Sequence, residues 1–150
     1  MTNRKIAVIL DNIRSSHNVG SILRTCDGAG VTHVYLCGIT ATPRDHKVRK
    51  ASLGAEDSVS WSHHGSTTEA ITIARRNGYK IISVELTDDG KDYHLYDLNG
   101  PTAFIFGNER LGIGMNILEI SDETIMIPMH GKKLSLNVSI SAGIILFHYI

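Results

Sequence analysis

The stretch "IPMHGKKLSLNVSISAGIILFHYI", residues 127–150, combines the end of a strand, a basic loop and an apolar helix. Pro128 should end the strand "ETIMIPM" (Glu123 to Met129), because a proline has no N–H to donate within a sheet. Asn137 precedes the apolar run "VSISAGIILF", where an asparagine side chain is a good helix cap, and Ser135 could cap it too. The stretch therefore predicts a final helix that begins directly after a short polar loop.

Upstream of this stretch, β-branched runs alternate with helical patterns. The runs "KIAVIL" (Lys5 to Leu10), "HVYLCG" (His33 to Gly38), "SVSW" (Ser58 to Trp61), "KIISVEL" (Lys80 to Leu86) and "TAFIFG" (Thr102 to Gly107) predict buried strands. Helices are predicted by apolar residues at Val19, Ile22, Leu23 and Cys26, and by the capping box "STTE" (Ser66 to Glu69), with Gly78 as a stop. This alternation predicts an α/β domain with a mostly parallel sheet and helices on both faces.

Length and composition favour an ordinary globular chain. A chain of 150 residues predicts a single domain over residues 1–150. The apolar run near the start is interrupted by Asp11, so we expect neither a signal peptide nor a membrane span, and a cytoplasmic location. Cys26 and Cys37 are then expected to be reduced thiols. The net charge of zero argues against a nucleic-acid coat that binds through bulk charge, but it leaves local basic patches open.

Several common kinds of active site find no support in the sequence. None of the eight histidines has the His-Glu-x-x-His spacing of a zinc enzyme, and the adjacent His63 and His64 should point apart on a strand. We therefore expect no metal site. The chain also lacks a Gly-x-Ser-x-Gly elbow and a Cys/His pair of familiar spacing, so covalent catalysis is not predicted.

Ligands of open α/β sheets bind beyond the carboxyl ends of the strands, which directs attention to three segments. In "DNIRSSHNVGSILRT" (Asp11 to Thr25), Arg24 has no evident role in stabilising the helix. It could be a solvated surface side chain, or its guanidinium could bind a phosphate or ribose oxygen. In "FIFGNERLGIG" (Phe104 to Gly114), the glycines lack the dinucleotide-binding spacing. They would let the backbone pass close to a ligand beside Glu109, although a plain turn with a solvated glutamate is the alternative. The third segment is the closing stretch.

Together and in this order, "NIRSSHNVGSILRTCDGAG", "FIFGNERLGIG" and "IPMHGKKLSLNVSISAGIILF" resemble the three motifs of the SpoU (TrmH) RNA ribose 2'-O-methyltransferases, in the SPOUT superfamily. The resemblance spans nearly the whole chain. It implies a homodimer, a carboxyl-terminal deep trefoil knot and S-adenosylmethionine bound among the knot loops. General rules of chain topology disfavour knots, so the knot is expected from the resemblance alone.

The resemblance also implies roles for individual residues. The cofactor contacts would be Leu86, Gly107, Ile127, Met129, Ser135 and Leu136. In the catalytic set, Arg24 would engage the 2'-hydroxyl, Asn18 would position RNA or Arg24, Glu109 would order the second motif, and Ser135 and Asn137 would complete the pocket. Because a guanidinium stays protonated, we expect Arg24 to bind and polarise the hydroxyl or an adjacent phosphate instead of acting as a base.

RNA recognition would use basic residues of the same domain. The run "PRDHKVRK" (Pro43 to Lys50) and the loop before the last helix provide Arg44, Lys47, Arg49, Lys50, Lys132 and Lys133. No added RNA-binding domain is expected, so recognition would rest on this domain or on a partner. The leading hypothesis is ribose 2'-O-methylation of tRNA or rRNA. The alternatives are a knotted RNA-binding module without turnover, and base methylation as in another SPOUT branch.

Overall fold

The computed structural model describes residues 4–150, in which one seven-stranded sheet has only parallel pairings between its strands. The sheet order is β3-β2-β1-β6-β4-β7-β5. The strands are β1 (Ile6–Asp11), β2 (His33–Cys37), β3 (Trp61–His64), β4 (Lys80–Val84), β5 (Lys91–Asp92), β6 (Thr102–Phe106) and β7 (Glu123–Met126). The predicted parallel α/β sheet is therefore confirmed.

Five α-helices in the described part of the chain connect or follow these strands. They are α1 (Ser16–Ala29), α2 (His46–Ser52), α3 (Thr67–Arg76), α4 (Met115–Ile120) and α5 (Val138–Tyr149). Two single-turn 3-10 helices lie at Ala55–Asp57 and Tyr93–Leu95. None of the helices within residues 4–150 has both the length and the apolar character needed to cross a membrane.

The helices cover both faces of the sheet, as predicted. In β1, Val8 and Leu10 face a core shared with α1 and α5, whereas Ala7 and Ile9 face a second core shared with α3 and α4. Since successive side chains of a strand point to opposite faces, burial on both sides requires an unbroken apolar run. The sequence of β1 has this property.

Side-chain caps fix where the main helices begin. Ser15 caps α1 by accepting a hydrogen bond from the backbone N–H of Asn18, and Ser66 caps α3 by accepting one from the N–H of Glu69. Asn137 caps α5, as predicted, by accepting from Ser139 and Ile140. These caps satisfy N–H groups that have no partner within the helix.

The prediction of a strand over Ser58–Trp61 was wrong, since β3 begins at Trp61. Val59 is buried in the turn that precedes the strand, and its apolar side chain produced a false strand signal. The predicted strands that end at Leu86 and Met129 stop earlier, at Val84 and Met126. Their last residues leave the sheet.

The last helix returns across the sheet and packs on α1 and β6. The ring of Tyr149 stacks on that of Phe104, with centroids 5.5 Å apart. Its hydroxyl donates to the backbone carbonyls of Tyr93 at 3.0 Å and Tyr96 at 2.9 Å. The final turn of α5 therefore anchors the connection between β5 and β6.

Candidate active site

A cavity of about 340 Å³ opens at the carboxyl ends of β4 and β6. It is closed by the chain that follows β7 and by the first turns of α5. Its lining includes the six residues predicted to contact the cofactor, namely Leu86, Gly107, Ile127, Met129, Ser135 and Leu136. The structure therefore brings these six residues to one place, and their contact with a cofactor stays a prediction. The size suits a small-molecule ligand.

The glycines after β6 allow two pieces of backbone to approach closely. A Cβ atom on Gly107 would lie 2.6 Å from the carbonyl carbon of Gly112 and 2.7 Å from the backbone nitrogen of Ile113. Between them the chain makes a tight turn, closed by a hydrogen bond of 2.8 Å from the N–H of Gly112 to the carbonyl of Asn108. Any side chain at Gly107 would thus force this turn out of the cavity wall.

Glu109 joins this turn to the loop before α1. Its carboxylate accepts hydrogen bonds from the backbone N–H of Arg14 at 2.8 Å and that of Ser15 at 2.9 Å. Next to it, the side-chain amide of Asn108 donates to the carbonyl of Asn12 at 2.7 Å. The alternative of a solvated Glu109 in a plain turn is therefore wrong, because its carboxylate holds two motifs together.

Asn18 and Asn137 connect the first and third motifs. The side-chain amide of Asn137 donates to the side-chain oxygen of Asn18 at 3.3 Å, and Asn18 is buried. Neither side chain lines the cavity, but Val138, directly after Asn137, does. These two residues thus set the position of the start of α5, which forms one wall of the cavity.

Arg24 lies outside the cavity. It is exposed on α1, on the side opposite the buried residues Val19, Ile22 and Leu23. Within residues 4–150 its guanidinium has no hydrogen-bond or ion-pair partner. The structure of one chain therefore leaves this cation available to another molecule and does not bring it to the other predicted catalytic residues.

The predicted RNA-binding residues fall into two groups. Lys132 and Lys133 are exposed on the loop between the cavity residues Met129 and Ser135. Arg44, Lys47 and Lys50 are exposed at or near α2. Arg49 is exposed as well, but its guanidinium donates to the carbonyls of Pro43 at 2.6 Å and Arg44 at 2.9 Å, so it also supports the fold.

The helix α2 is held close to the start of α1. Asp45 caps α2 by accepting from the N–H of Lys47 at 2.9 Å, and it also accepts from the hydroxyl of Ser16 at 2.9 Å. These two hydrogen bonds lower the pKa of Asp45. A Cβ atom on Gly20 would lie 2.4 Å from the carbonyl of Val48, so a glycine is needed where the two helices meet. The basic residues of α2 are thus fixed beside the first motif.

Among the cavity residues that were not predicted from the sequence, Glu85 carries a charge. Its carboxylate accepts a hydrogen bond from the backbone N–H of Ile113 at 2.7 Å and lines the cavity beside Leu86. Its position at the end of an apolar strand could have indicated a functional role. A glutamate beyond a strand is usually solvated, however, so this position alone does not predict one.

The two cysteines of the chain do not provide a reactive thiol. Cys26 and Cys37 are buried free thiols, and burial raises the pKa of Cys37 to about 12. A thiolate is therefore not formed near neutral pH. Over the part of the chain that the structure describes, no three His, Cys, Asp or Glu side chains are arranged to hold a metal ion.

Comparison with known proteins is consistent with this geometry. The model of the SpoU rRNA methylase family matches residues 5–147. The tRNA (guanosine(18)-2'-O)-methyltransferase of Thermus thermophilus is 34% identical over 142 residues, which are 95% of this chain and 72% of that protein. The crystal structure of the A. aeolicus TrmH/SpoU tRNA modifying enzyme superposes with a TM-score of 0.85 at 30% identity, covering 97% of this chain and 73% of that one.

A structure with bound cofactor is also similar. The SpoU methyltransferase AviRb from Streptomyces viridochromogenes, in complex with AdoMet, superposes with a TM-score of 0.86 at 28% identity, covering 98% of this chain and 60% of that one. The sequence motifs and these similarities agree. The chain belongs to the SpoU rRNA methylase family.

Proposed function

We propose that this protein transfers a methyl group from S-adenosylmethionine to a ribose 2'-hydroxyl of RNA. The main support for the proposal is that three motifs distant in sequence meet at one cavity. Glu109 of the second motif is hydrogen-bonded to Arg14 and Ser15 of the first. Asn137 of the third motif is hydrogen-bonded to Asn18 of the first. The names of the relatives, which are RNA 2'-O-methyltransferases, support the reaction. The AdoMet complex of AviRb supports the cofactor.

The cavity suits S-adenosylmethionine in its chemistry. Leu86, Ile127, Met129 and Leu136 supply apolar side chains for an adenine ring and a methionine chain. The turn at Gly107 brings backbone groups to the wall, where a Cβ atom would not fit. Ser135 adds a hydroxyl at the opening. When bound, S-adenosylmethionine supplies a methyl group on a positively charged sulfur.

The chain's own contribution would be to bind and orient the RNA hydroxyl. A ribose hydroxyl is a weak nucleophile that must lie in line with the methyl group and lose its proton as the new bond forms. The guanidinium of Arg24 remains a cation, so we assign it to binding and polarising this hydroxyl or the adjacent phosphate. Because Arg24 lies outside the cavity of its own chain, this role requires that the second copy in the homodimer inferred below brings its Arg24 to the cavity. Asn18 would fix the start of α1 and with it the direction of Arg24.

We infer a homodimer, whose interface includes α5. Ile140, Phe147 and Ile150 are 54%, 53% and 58% exposed, which is unusual for large apolar side chains clustered at one helix. A helix that is apolar on all sides is normally buried within an assembly. Phe147→Glu should therefore yield a monomer in sedimentation velocity, whereas Leu53→Glu, at a matched exposed site directly after α2, should not. A wild-type monomer at micromolar concentration would contradict the proposal.

We also infer that the chain after β7 forms the trefoil knot of the family. The placement of β6 between β1 and β4 and the return of α5 onto α1 are compatible with such a path. If the ends are pulled apart in a single-molecule experiment, a knotted chain should extend to less than about 3.3–3.6 Å per residue. Extension to the full contour length would contradict the knot.

We assign RNA binding to the exposed lysines and arginines near the cavity and on α2. The direct test is to incubate purified protein with S-adenosylmethionine and transfer or ribosomal RNA, and to identify the modified nucleoside by mass spectrometry. The proposal expects a 2'-O-methylnucleoside. A base-methylated product would favour another SPOUT activity, and cofactor binding without product would favour an inactive RNA-binding module.

In cells, the same proposal expects that loss of the protein removes specific 2'-O-methyl sites. Mapping these sites across total RNA with and without the protein would identify the RNA and the nucleotide. If no site disappears, the enzymatic proposal is contradicted.

A further inference from the structure

Glu85 lies where the end of β4, the chain near β7 and the turn after β6 meet. Its backbone N–H donates to the carbonyl of Ile125 in β7 at 3.0 Å. Its Oε2 accepts a hydrogen bond from the backbone N–H of Ile113 at 2.7 Å. The side chain is half-buried and lines the cavity. Its position is therefore fixed from two sides.

The carboxylate of Glu85 lies directly over Gly112. A Cβ atom on Gly112 would be 2.5 Å from Oε2 and 3.3 Å from Oε1 of Glu85. Gly112 also has a φ of +65°, which glycine adopts without strain. The absence of a side chain at position 112 thus makes room for a carboxylate in the cavity wall.

The charged side chains around the cavity differ in their hydrogen-bond partners and in their exposure to solvent. Glu85, Glu109 and Arg110 are the charged residues of the lining. Both oxygens of Glu109 accept from the backbone of Arg14 and Ser15, and Arg110 is exposed to solvent. Within residues 4–150, Oε1 of Glu85 is the carboxylate oxygen of this wall that has no hydrogen-bond partner.

A carboxylate oxygen accepts hydrogen bonds and cannot donate them when ionised. S-adenosylmethionine offers donors in its ribose hydroxyls, its adenine amino group and its α-ammonium group. A ligand that fills the cavity displaces water from Glu85, so leaving Oε1 without a donor would cost binding free energy. A donor of the ligand is the natural replacement.

We propose that Glu85 is a cofactor-binding residue whose Oε1 accepts a hydrogen bond from S-adenosylmethionine. The proposal rests on the function proposed above, since it requires that the cavity takes this cofactor. In this arrangement one carboxylate oxygen holds the turn after β6 in place and the other binds the ligand. Glu85 would thereby link the position of the turn after β6 to the binding of the cofactor.

The test measures the affinity for S-adenosylhomocysteine, the demethylated product of the cofactor, by calorimetry. Glu85→Gln keeps one oxygen for the N–H of Ile113, but it replaces the other oxygen with an NH2 donor. We expect affinity about 10-fold to 100-fold below wild type, the range for a hydrogen bond to a charged group, with an unchanged melting temperature. Glu119→Gln, on the exposed side of α4, is the matched control and should bind like wild type.

The probe 5'-methylthioadenosine, which lacks the α-ammonium group, locates the donor. If Glu85→Gln weakens both ligands equally, the donor is in the nucleoside half of the cofactor; if it weakens S-adenosylhomocysteine alone, the donor is the α-ammonium group. Both outcomes support the proposal.

Two outcomes would overturn it. Wild-type affinity in Glu85→Gln would leave the methyltransferase proposal standing and exclude a ligand contact at Glu85. Weaker binding together with a lower melting temperature would make Glu85 a structural anchor only. A wild-type protein that binds neither S-adenosylmethionine nor S-adenosylhomocysteine would instead overturn the proposed function, and the role of Glu85 with it.

Discussion

The side-chain amide of Asn137 donates a hydrogen bond to the side-chain oxygen of Asn18 at 3.3 Å, across 119 positions of sequence. The other end of the same amide caps α5 by accepting from the backbone N–H of Ser139 at 2.8 Å. One side chain therefore serves both as a helix cap and as the link between the first and third motifs. The two roles can be separated by substitution.

Asn137→Ala should lower the free energy of unfolding by about 1 kcal/mol, the usual cost of a lost cap, as measured by urea denaturation. Asn137→Asp keeps an oxygen that caps the helix, but places an acceptor opposite the oxygen of Asn18. We expect this variant to be closer to wild type in stability and to have reduced methyl transfer. Normal turnover in Asn137→Asp would show that the link to Asn18 has no catalytic consequence.

Glu109→Gln should loosen the loop before α1, because an amide can offer only one oxygen to the two backbone N–H groups of Arg14 and Ser15. We expect the free energy of unfolding to fall by about 0.5–1.5 kcal/mol, the usual net contribution of one hydrogen bond, and turnover to fall with it. Calorimetric unfolding and a methyl-transfer assay measure the two effects. Equal stability of Glu109→Gln and the control Glu119→Gln would contradict this role.

Arg24→Lys should reduce turnover at least 10-fold, since a lysine keeps the charge but not the forked donor geometry that binds phosphate or hydroxyl oxygens. The free energy of unfolding should change by less than about 0.5 kcal/mol, because Arg24 is exposed. Arg76→Lys, an exposed arginine at the end of α3, is the control for the substitution itself. Near-normal turnover of Arg24→Lys would exclude a need for the guanidinium.

Gly107→Ala should remove cofactor binding and lower the free energy of unfolding by about 1–3 kcal/mol, as expected for an overpacked site. The new Cβ would lie within 2.7 Å of the backbone at Gly112 and Ile113. Gly65→Ala is a suitable control, because the nearest atom to a Cβ there is 3.9 Å away. Calorimetry with S-adenosylhomocysteine and thermal unfolding would reveal whether the turn tolerates the methyl group.

His33 on β2 should make stability depend on pH. The Nε2 atoms of His33 and His64 each lie 2.7 Å from the hydroxyl of Ser62. Burial, and then the proximity of His64, lowers the pKa of His33 below its usual value of 6.5. The unfolded chain then binds more protons than the folded chain as the pH falls below this value.

Neutral His33 therefore contributes fully to the free energy of unfolding when the pH is above the pKa that His33 has in the unfolded chain. This contribution is lost as the pH falls through the lower pKa that His33 has in the folded protein. Urea denaturation at a series of pH values between 8 and 5 measures this loss. His33→Gln should flatten the profile, whereas His17→Gln, at an exposed position of α1, should retain it. Identical profiles for wild type and His33→Gln would contradict the assignment.

The elements that could be predicted from sequence are those whose signal is local. The caps at Ser66 and Asn137 follow from residue type and position, since a short polar side chain before an apolar run has few other roles. The strands β1 and β6 were predicted because burial on both faces leaves an unbroken apolar run. These features need no knowledge of the rest of the chain.

The features that were missed depend on distant partners. The strand β5 has two residues, Lys91 and Asp92, and exists because β7 offers them an edge. Glu85 carries no motif, and its place in the cavity wall is set by Ile113 and Gly112 from another segment. The predicted cofactor-binding residues follow from the family resemblance alone, because spacing along the chain does not reveal which strand ends lie side by side.

The sheet order also has a consequence for the growing polypeptide. The strand β4 pairs with β6 and β7, both of which are synthesised after it, and β1 obtains its second neighbour only when β6 appears. Emerging from the ribosome, Ile81 and Ile82 therefore have no strand beside them until β6 (Thr102–Phe106) has followed. Pairings of this range are slow to form. Protein synthesis thus passes through an interval in which the apolar centre of the future sheet is open to other chains, and the rate of translation sets its length.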